Sequence, residues 1–82
     1  MHRVTFQTFG SWLKARRCAR DMTQVELARR VGCAEITIRK IEADDLRPSK
    51  HLARLLLHEL GVRENEQPAL MSLARRNHHM FE

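Results

Sequence analysis

A single glycine between two short amphipathic segments constrains the fold of this 82-residue chain more than any other feature. On one side of Gly32, Leu27 and Val31 lie four residues apart, which is the spacing of one helix face. On its other side, Ile38 and Ile41 lie three residues apart, which is also helical spacing. Because glycine readily adopts the left-handed conformation that ends a helix, the pattern predicts two helices joined by a tight turn.

Two helices joined by so short a turn cross at a steep angle, and a small residue is needed where their backbones approach. Ala28 supplies that small residue. With both isoleucines of the second segment in the core, the opposite face of this helix is left pointing outward. The residues expected on that outward face are Glu35, Ile36, Arg39 and Lys40.

Periodicity and capping signals predict five helices, and hence a small all-α domain. The first helix is indicated by the spacing of Phe9 and Leu13 and is expected to end near Ala19. Thr23 stands three residues before Glu26, so the two side chains can form a capping box at the start of the second helix. The third helix is the one that follows the glycine turn.

The last two helices are predicted from their terminal residues. Ser49 is expected to cap the fourth helix and Gly61 to end it. The stretch of residues 63–76 is typical of a fifth helix, provided that Pro68 lies in its first turn.

The length of the chain leaves room for one domain over residues 1–82, with its core over about residues 9–76 and a frayed tail at 77–82. Fifteen Lys and Arg residues against ten Asp and Glu residues give a formal net charge of +5. Such a charge favours a phosphate-rich partner, although ordinary solubility would account for it equally well.

Several other classes of function find no support in the sequence. Cys18 and Cys33 follow nothing that resembles a secretion signal, which favours reduced thiols and a cytoplasmic location. A zinc site with His51 and His58 lacks the close cysteine pair that such sites use, so no metal or other cofactor is expected. Neither catalytic motifs nor an apolar run long enough to span a bilayer occur, so we expect no enzyme, small-molecule site or membrane segment.

The stretch MTQVELARRVGCAEITIRKIEADDLRPS resembles the lambda-repressor and Cro-type (XRE-like) helix-turn-helix family of bacterial DNA-binding domains. The likeness covers about residues 9–74. The small, glycine and two apolar positions of the family motif are occupied by Ala28, Gly32, Ile38 and Ile41. The resemblance implies a compact five-helix fold and sequence-specific binding to double-stranded DNA in transcriptional regulation.

The resemblance also implies which residues contact DNA, because the third helix of such domains enters the major groove. In that groove an arginine or lysine can donate to guanine, a glutamate can accept from cytosine, and an isoleucine can pack on a thymine methyl group. The implied base-contacting residues are Ala34, Glu35, Ile36, Arg39 and Lys40. The resemblance implies that Gln24 contacts a phosphate and that Thr37 lies nearer the DNA backbone than the bases. Further candidates for phosphate contact, from their charge and their place at the N-terminus of the fourth helix, are Arg47, Ser49 and Lys50.

One further feature carried over from the family is an ion pair. The family often pairs an arginine late in the first helix with a glutamate at the end of the third, and Arg17 and Glu42 occupy those positions. We therefore expect a close contact between these two side chains, which would fix the third helix against its support.

The sequence departs from the family pattern at several turn positions. Ala34 replaces the Ser or Thr that usually caps the third helix, so side-chain capping is expected to be absent there. Asp21 replaces a common glycine before the second helix, in a conformation that aspartate tolerates. Asp44 and Asp45 stand where glycine and a basic residue are usual, and their carboxylates are expected to repel DNA phosphates.

A single recognition helix covers few base pairs, so we expect either a homodimer on DNA or attachment to a larger protein. The apolar residues considered for a protein interface are Leu55, Leu70, Met71, Met80 and Phe81, with core packing favoured for Leu70. The closing stretch resembles amino-terminal modules of larger bacterial regulators. An alternative function is therefore an adaptor whose helix-turn-helix scaffold binds protein instead of DNA.

Overall fold

The computed structural model describes residues 8–76, and in this range the chain forms five α-helices and no strand. The helices are α1 (Phe9–Ala19), α2 (Gln24–Val31), α3 (Glu35–Glu42), α4 (Lys50–Glu59) and α5 (Gln67–Arg76). A single 3₁₀ turn, Glu64–Glu66, precedes α5. The predicted all-α architecture is confirmed, and the tail expected at residues 77–82 lies outside the described residues.

Local capping forms as the sequence predicts. The Thr23 hydroxyl accepts from the Glu26 N–H at 3.0 Å, and the Glu26 carboxylate accepts from the Thr23 N–H at 3.0 Å, which completes the capping box. The Ser49 hydroxyl accepts from the Leu52 N–H at 3.1 Å and caps α4. Gly32 ends α2 with φ of 78°, a conformation that costs most residues about 1 kcal/mol.

The fifth helix is shorter than the sequence indicated. It begins at Gln67, because residues 64–66 form the 3₁₀ turn instead of helix. Pro68 is thus the second residue of α5, where its missing N–H costs no helical hydrogen bond. The Gln67 side chain donates to the carbonyl of Val62 at 3.2 Å and ties this turn to the end of the preceding loop.

One apolar core joins all five helices. Both isoleucines of α3 lie in it, with Ile38 at 0% and Ile41 at 1% exposure, so the buried side of this helix is fixed. Cys33 packs against the core from the turn, and its burial raises the pKa of its thiol. The candidate interface residues Leu55, Leu70 and Met71 are also partly buried against the core, whereas Met80 and Phe81 lie outside the described residues.

The predicted contact between Arg17 and Glu42 is present and is bidentate. Arg17 Nε lies 2.6 Å from Glu42 Oε2, and Arg17 Nη2 lies 3.0 Å from Glu42 Oε1. A third guanidinium nitrogen donates to the carbonyl of Met22 at 2.7 Å. The hydrogen bond to Glu42 raises the pKa of Arg17, against the opposing effect of burial, so the guanidinium stays charged. The pair joins the end of α3 to α1.

A second close contact joins the start of α1 to the end of α3. A Cβ atom at Gly10 would overlap the carbonyl oxygen of Ile41 and would lie 2.8 Å from that of Glu42. The Gly10 N–H also donates to Asp44 Oδ1 at 3.2 Å. Asp44 has φ of 62° and so places its carboxylate against the N-terminal turn of α1, which has no acidic residue of its own.

The substitution Gly10→Ala tests this contact. Helix propensity alone would stabilise α1, but the added methyl group has no space, so we expect a loss of about 1–3 kcal/mol in the free energy of unfolding. Urea denaturation measures it. The control is Ala15→Gly at an exposed position of α1, expected to cost about 1 kcal/mol from propensity alone. A Gly10→Ala protein as stable as the parent would contradict the close approach.

The substitution Arg17→Met tests the buried ion pair. It leaves the Glu42 carboxylate, whose side chain is 4% exposed, without its counter-ion. We expect a loss of about 3–5 kcal/mol in the free energy of unfolding, measured by urea denaturation. The double variant Arg17→Met with Glu42→Met removes both charges and should recover much of this loss.

The control for this variant is Arg30→Met, which breaks the more exposed ion pair between Arg30 and Glu59. That change should cost about 0–1 kcal/mol. If Arg17→Met cost no more than Arg30→Met, the buried pair would not be what holds α3 in place.

Candidate nucleic-acid interface

The outward face of α3 carries an exposed isoleucine between polar residues. Ile36 is 47% exposed, the highest value among the large hydrophobic residues that the structure describes. Arg39 and Lys40 are exposed on the same side, because Ile38 and Ile41 direct the opposite side into the core. Four of the five predicted base-contacting residues therefore share one accessible face, namely Glu35, Ile36, Arg39 and Lys40.

Two residues of this face form an ion pair with each other. Arg39 Nη2 lies 3.0 Å from Glu35 Oε2, one helical turn away along α3. The two side chains are 56% and 42% exposed, so the pair is open to solvent and adds little stability. Sequence reasoning treated Glu35 and Arg39 as independent contacts, although their spacing of four residues carried the signal for a pair. In the described residues, Lys40 has no such partner.

The start of α3 lacks a side-chain cap, as the sequence predicts. Ala34 occupies the N-cap in an extended conformation and is exposed, and its side chain offers no hydrogen-bond acceptor. The Thr37 N–H bonds to the carbonyl of Ala34 at 3.0 Å, which closes the first turn. Because Ala34 has only a methyl group as its side chain, no larger side chain at this position covers the N-terminal end of the outward face.

Among the predicted phosphate-contacting residues, Gln24 is joined to the buried ion pair. Gln24 Nε2 donates to Glu42 Oε1 at 3.0 Å, so the N-terminus of α2 lies beside the C-terminus of α3. An amide nitrogen has two hydrogens, and this bond uses one of them. The side chain is half-buried, and Glu42 orients it. This orientation was not part of the sequence prediction.

The other predicted phosphate-contacting residues lie in different surroundings. Arg47 Nη1 donates to the carbonyl of Arg75 at 3.0 Å, so its guanidinium extends towards the end of α5. Ser49 uses its hydroxyl oxygen to cap α4, and Lys50 beside it is exposed. Thr37 is half-buried on α3.

The two acidic residues after α3 differ in their surroundings. The Asp44 carboxylate accepts from the Gly10 N–H and is half-buried, whereas Asp45 is exposed. Only the second carboxylate therefore has the free exposure that the predicted phosphate repulsion assumed. Asp21 has φ of 57°, which agrees with its predicted place in a turn usually taken by glycine.

Several basic side chains stabilise the fold instead of standing free. Arg16 donates to the carbonyls of Leu60 and Gly61 at 3.1 and 3.4 Å, and so ties α1 to the end of α4. Arg30 on α2 pairs with Glu59 on α4 at 3.1 Å. The formal charge of the chain thus overstates how many cations are available to a polyanion.

Two other kinds of feature are absent from residues 8–76. No three His, Cys, Asp or Glu side chains in this range lie close enough together to hold a metal ion. None of the helices in this range combines the length and the apolar character that crossing a membrane requires.

Comparison with protein families identifies the fold. A family model described as helix-turn-helix matches residues 13–67, which is more than half of the chain and includes α2 and α3. Comparison with curated proteins and with solved structures gave no match. The matched family consists of DNA-binding regulatory domains that bind double-stranded DNA and are not typically enzymes. The chain therefore belongs to the lambda-repressor-like (XRE-like) helix-turn-helix family of DNA-binding modules.

Proposed function

We propose that this domain binds specific sequences of double-stranded DNA through α3 and acts in transcriptional regulation. The observation that carries the proposal is the division of α3 into two sides. Ile38 and Ile41 are buried, while Ile36 is 47% exposed and Lys40 is unpaired within the described residues. A rigid helix with such an outward side fits the major groove, where base edges can be told apart.

The proposed base contacts come from the outward face of α3 and from Ala34 at its N-cap. Lys40 and Arg39 supply donors for guanine O6 and N7, and Glu35 supplies an acceptor for a cytosine amino group. Because Arg39 and Glu35 are already paired, they enter the groove as one nearly neutral unit. The full set is Ala34, Glu35, Ile36, Arg39 and Lys40.

The proposed phosphate contacts flank this face. Gln24 has its second amide hydrogen available while the first is bonded to Glu42. Lys50 is exposed at the start of α4 and has no ion-pair partner within the described residues. Arg47 has further guanidinium donors beyond the one bonded to Arg75. The full set is Gln24, Thr37, Arg47, Ser49 and Lys50.

We further propose that the domain works as a homodimer on DNA or as part of a larger protein, in the bacterial cytoplasm. One α3 helix reaches only a few base pairs, and two copies on half-sites one helical turn apart supply useful affinity. No catalytic role, cofactor or small-molecule ligand belongs to the proposal.

Selection from a pool of randomised duplexes, followed by titration of the selected duplex, tests this function. We expect Lys40→Ala to weaken binding to the selected duplex by about 1–3 kcal/mol and to relax base preference at one position. Lys50→Ala should instead weaken binding to selected and random duplexes equally. It should also reduce the magnitude of the slope of log affinity against log salt by about one.

The matched control is Lys14→Ala, an exposed lysine on α1 outside the proposed contacts. It should leave the base preference unchanged. Equal base preferences in the parent and in Lys40→Ala would refute the base contact assigned to Lys40.

A second candidate function is an adaptor that binds protein. The charge near α3 favours this second function, because residues 35–45 contain four acidic and two basic residues and are therefore negative on balance. Leu46 directly after this segment is 39% exposed. A mobility shift of random duplex DNA that depends on the salt concentration would favour DNA binding. The absence of a mobility shift at low salt would favour the adaptor.

A further inference from the structure

We propose that α3 recognises a 5-methylpyrimidine next to a guanine in the major groove. The methyl group would contact Ile36, and the guanine would contact Arg39. Thymine and 5-methylcytosine share this methyl group, so both are sources of the same chemistry. The inference rests on the proposed DNA binding and goes beyond it by naming the base step that the face fits.

Ile36 is the starting point of the argument. Its side chain has no place in the core, since the buried side of α3 is taken by Ile38 and Ile41. The edges of the bases in the major groove consist of hydrogen-bond donors and acceptors, with one apolar group, the methyl group at C5 of a pyrimidine. An isoleucine on a groove-facing helix gains from burial only against that group.

The neighbour of Ile36 on the helix surface decides which base lies beside the methyl group. Arg39 and Lys40 follow Ile36 by three and four residues, so both side chains are adjacent to it on α3, and of the two only the arginine presents a planar fork of donors. Glu35 accepts from Arg39 Nη2 at 3.0 Å, which places the guanidinium on the outward face. A guanidinium has five N–H donors, and those not bonded to Glu35 can reach guanine O6 and N7.

Adjacent side chains on one helix meet adjacent bases in the groove. An apolar group beside a guanidinium therefore matches a methyl group beside the two acceptors of guanine. Unmethylated cytosine next to guanine offers the acceptors without the methyl group, and thymine next to adenine offers the methyl group with only one of the two acceptors, N7.

The experiment uses the full chain and two pools of randomised duplexes, one made with cytosine and one with 5-methylcytosine. In each selected duplex, every thymine is replaced in turn by deoxyuridine, or every 5-methylcytosine by cytosine, which removes a single methyl group. We expect one position next to a guanine at which this change weakens binding about fourfold, equivalent to about 0.8 kcal/mol for one buried carbon.

Variants connect this methyl effect to its residues. Ile36→Ala should bind methylated and unmethylated duplexes equally, because the apolar contact is gone. Replacing the neighbouring guanine by 7-deazaguanine removes N7 and should weaken binding by the parent protein but not by Arg39→Ala. The control is Val25→Ala, which removes a 42% exposed side chain from α2 and should retain the full methyl effect. Circular dichroism checks that each variant is folded.

The outcomes separate this inference from the function on which it rests. The inference would be overturned, with DNA binding left intact, if duplexes bind without any methyl effect. The same holds if Ile36→Ala shows the same methyl effect as the parent. Failure of every duplex to bind would overturn the proposed function and the inference with it. A methyl effect confined to thymine or to 5-methylcytosine would support the inference and identify the source.

Discussion

The buried ion pair between Arg17 and Glu42 is the interaction on which the arrangement of this domain depends. It joins α1 to the last residue of α3 through two hydrogen bonds, and the same carboxylate orients Gln24 at the start of α2. One glutamate side chain that is 4% exposed therefore connects three helices. Because an uncompensated charge at such a site is costly, departures of α3 from this position are disfavoured.

Features that depend on neighbouring residues could be predicted from the sequence. The capping box at Thr23, the left-handed end of α2 at Gly32 and the missing cap at Ala34 each involve atoms within a few residues of one another. The two sides of α3 followed from the spacing of its isoleucines. The contact of Arg17 with Glu42, which are 25 residues apart, could be predicted only from the resemblance to a family. The start of α5 was placed too early because 3₁₀ turns are frequent at helix termini, where the sequence pattern did not separate this turn from the helix that follows.

Other contacts between distant segments could not be predicted, because nothing in the local sequence encodes which segments meet. The approach of Gly10 to the end of α3 is one example, and the hydrogen bond of its N–H to Asp44 spans 34 residues. This bond changes the interpretation of the acidic turn at Asp44 and Asp45, because the Asp44 carboxylate accepts a hydrogen bond from the first turn of α1. Likewise, Arg47 was assigned to phosphate from its charge, but the fold brings the end of α5 within reach of its guanidinium.

The distribution of charge explains why the net charge of +5 says little about the proposed contact surface. Part of the positive charge is engaged within the domain, because Arg16 bonds to two backbone carbonyls and Arg30 pairs with Glu59, while the segment that carries α3 is acidic on balance. Attraction to phosphates, which is blind to sequence, is weakened when carboxylates lie near the groove. Contacts to base edges are less affected, because a paired carboxylate and guanidinium can still accept and donate there. On a face of this kind, the carboxylates lower the affinity for non-specific DNA more than the affinity for a sequence that fits. The ratio of specific to non-specific affinity therefore rises.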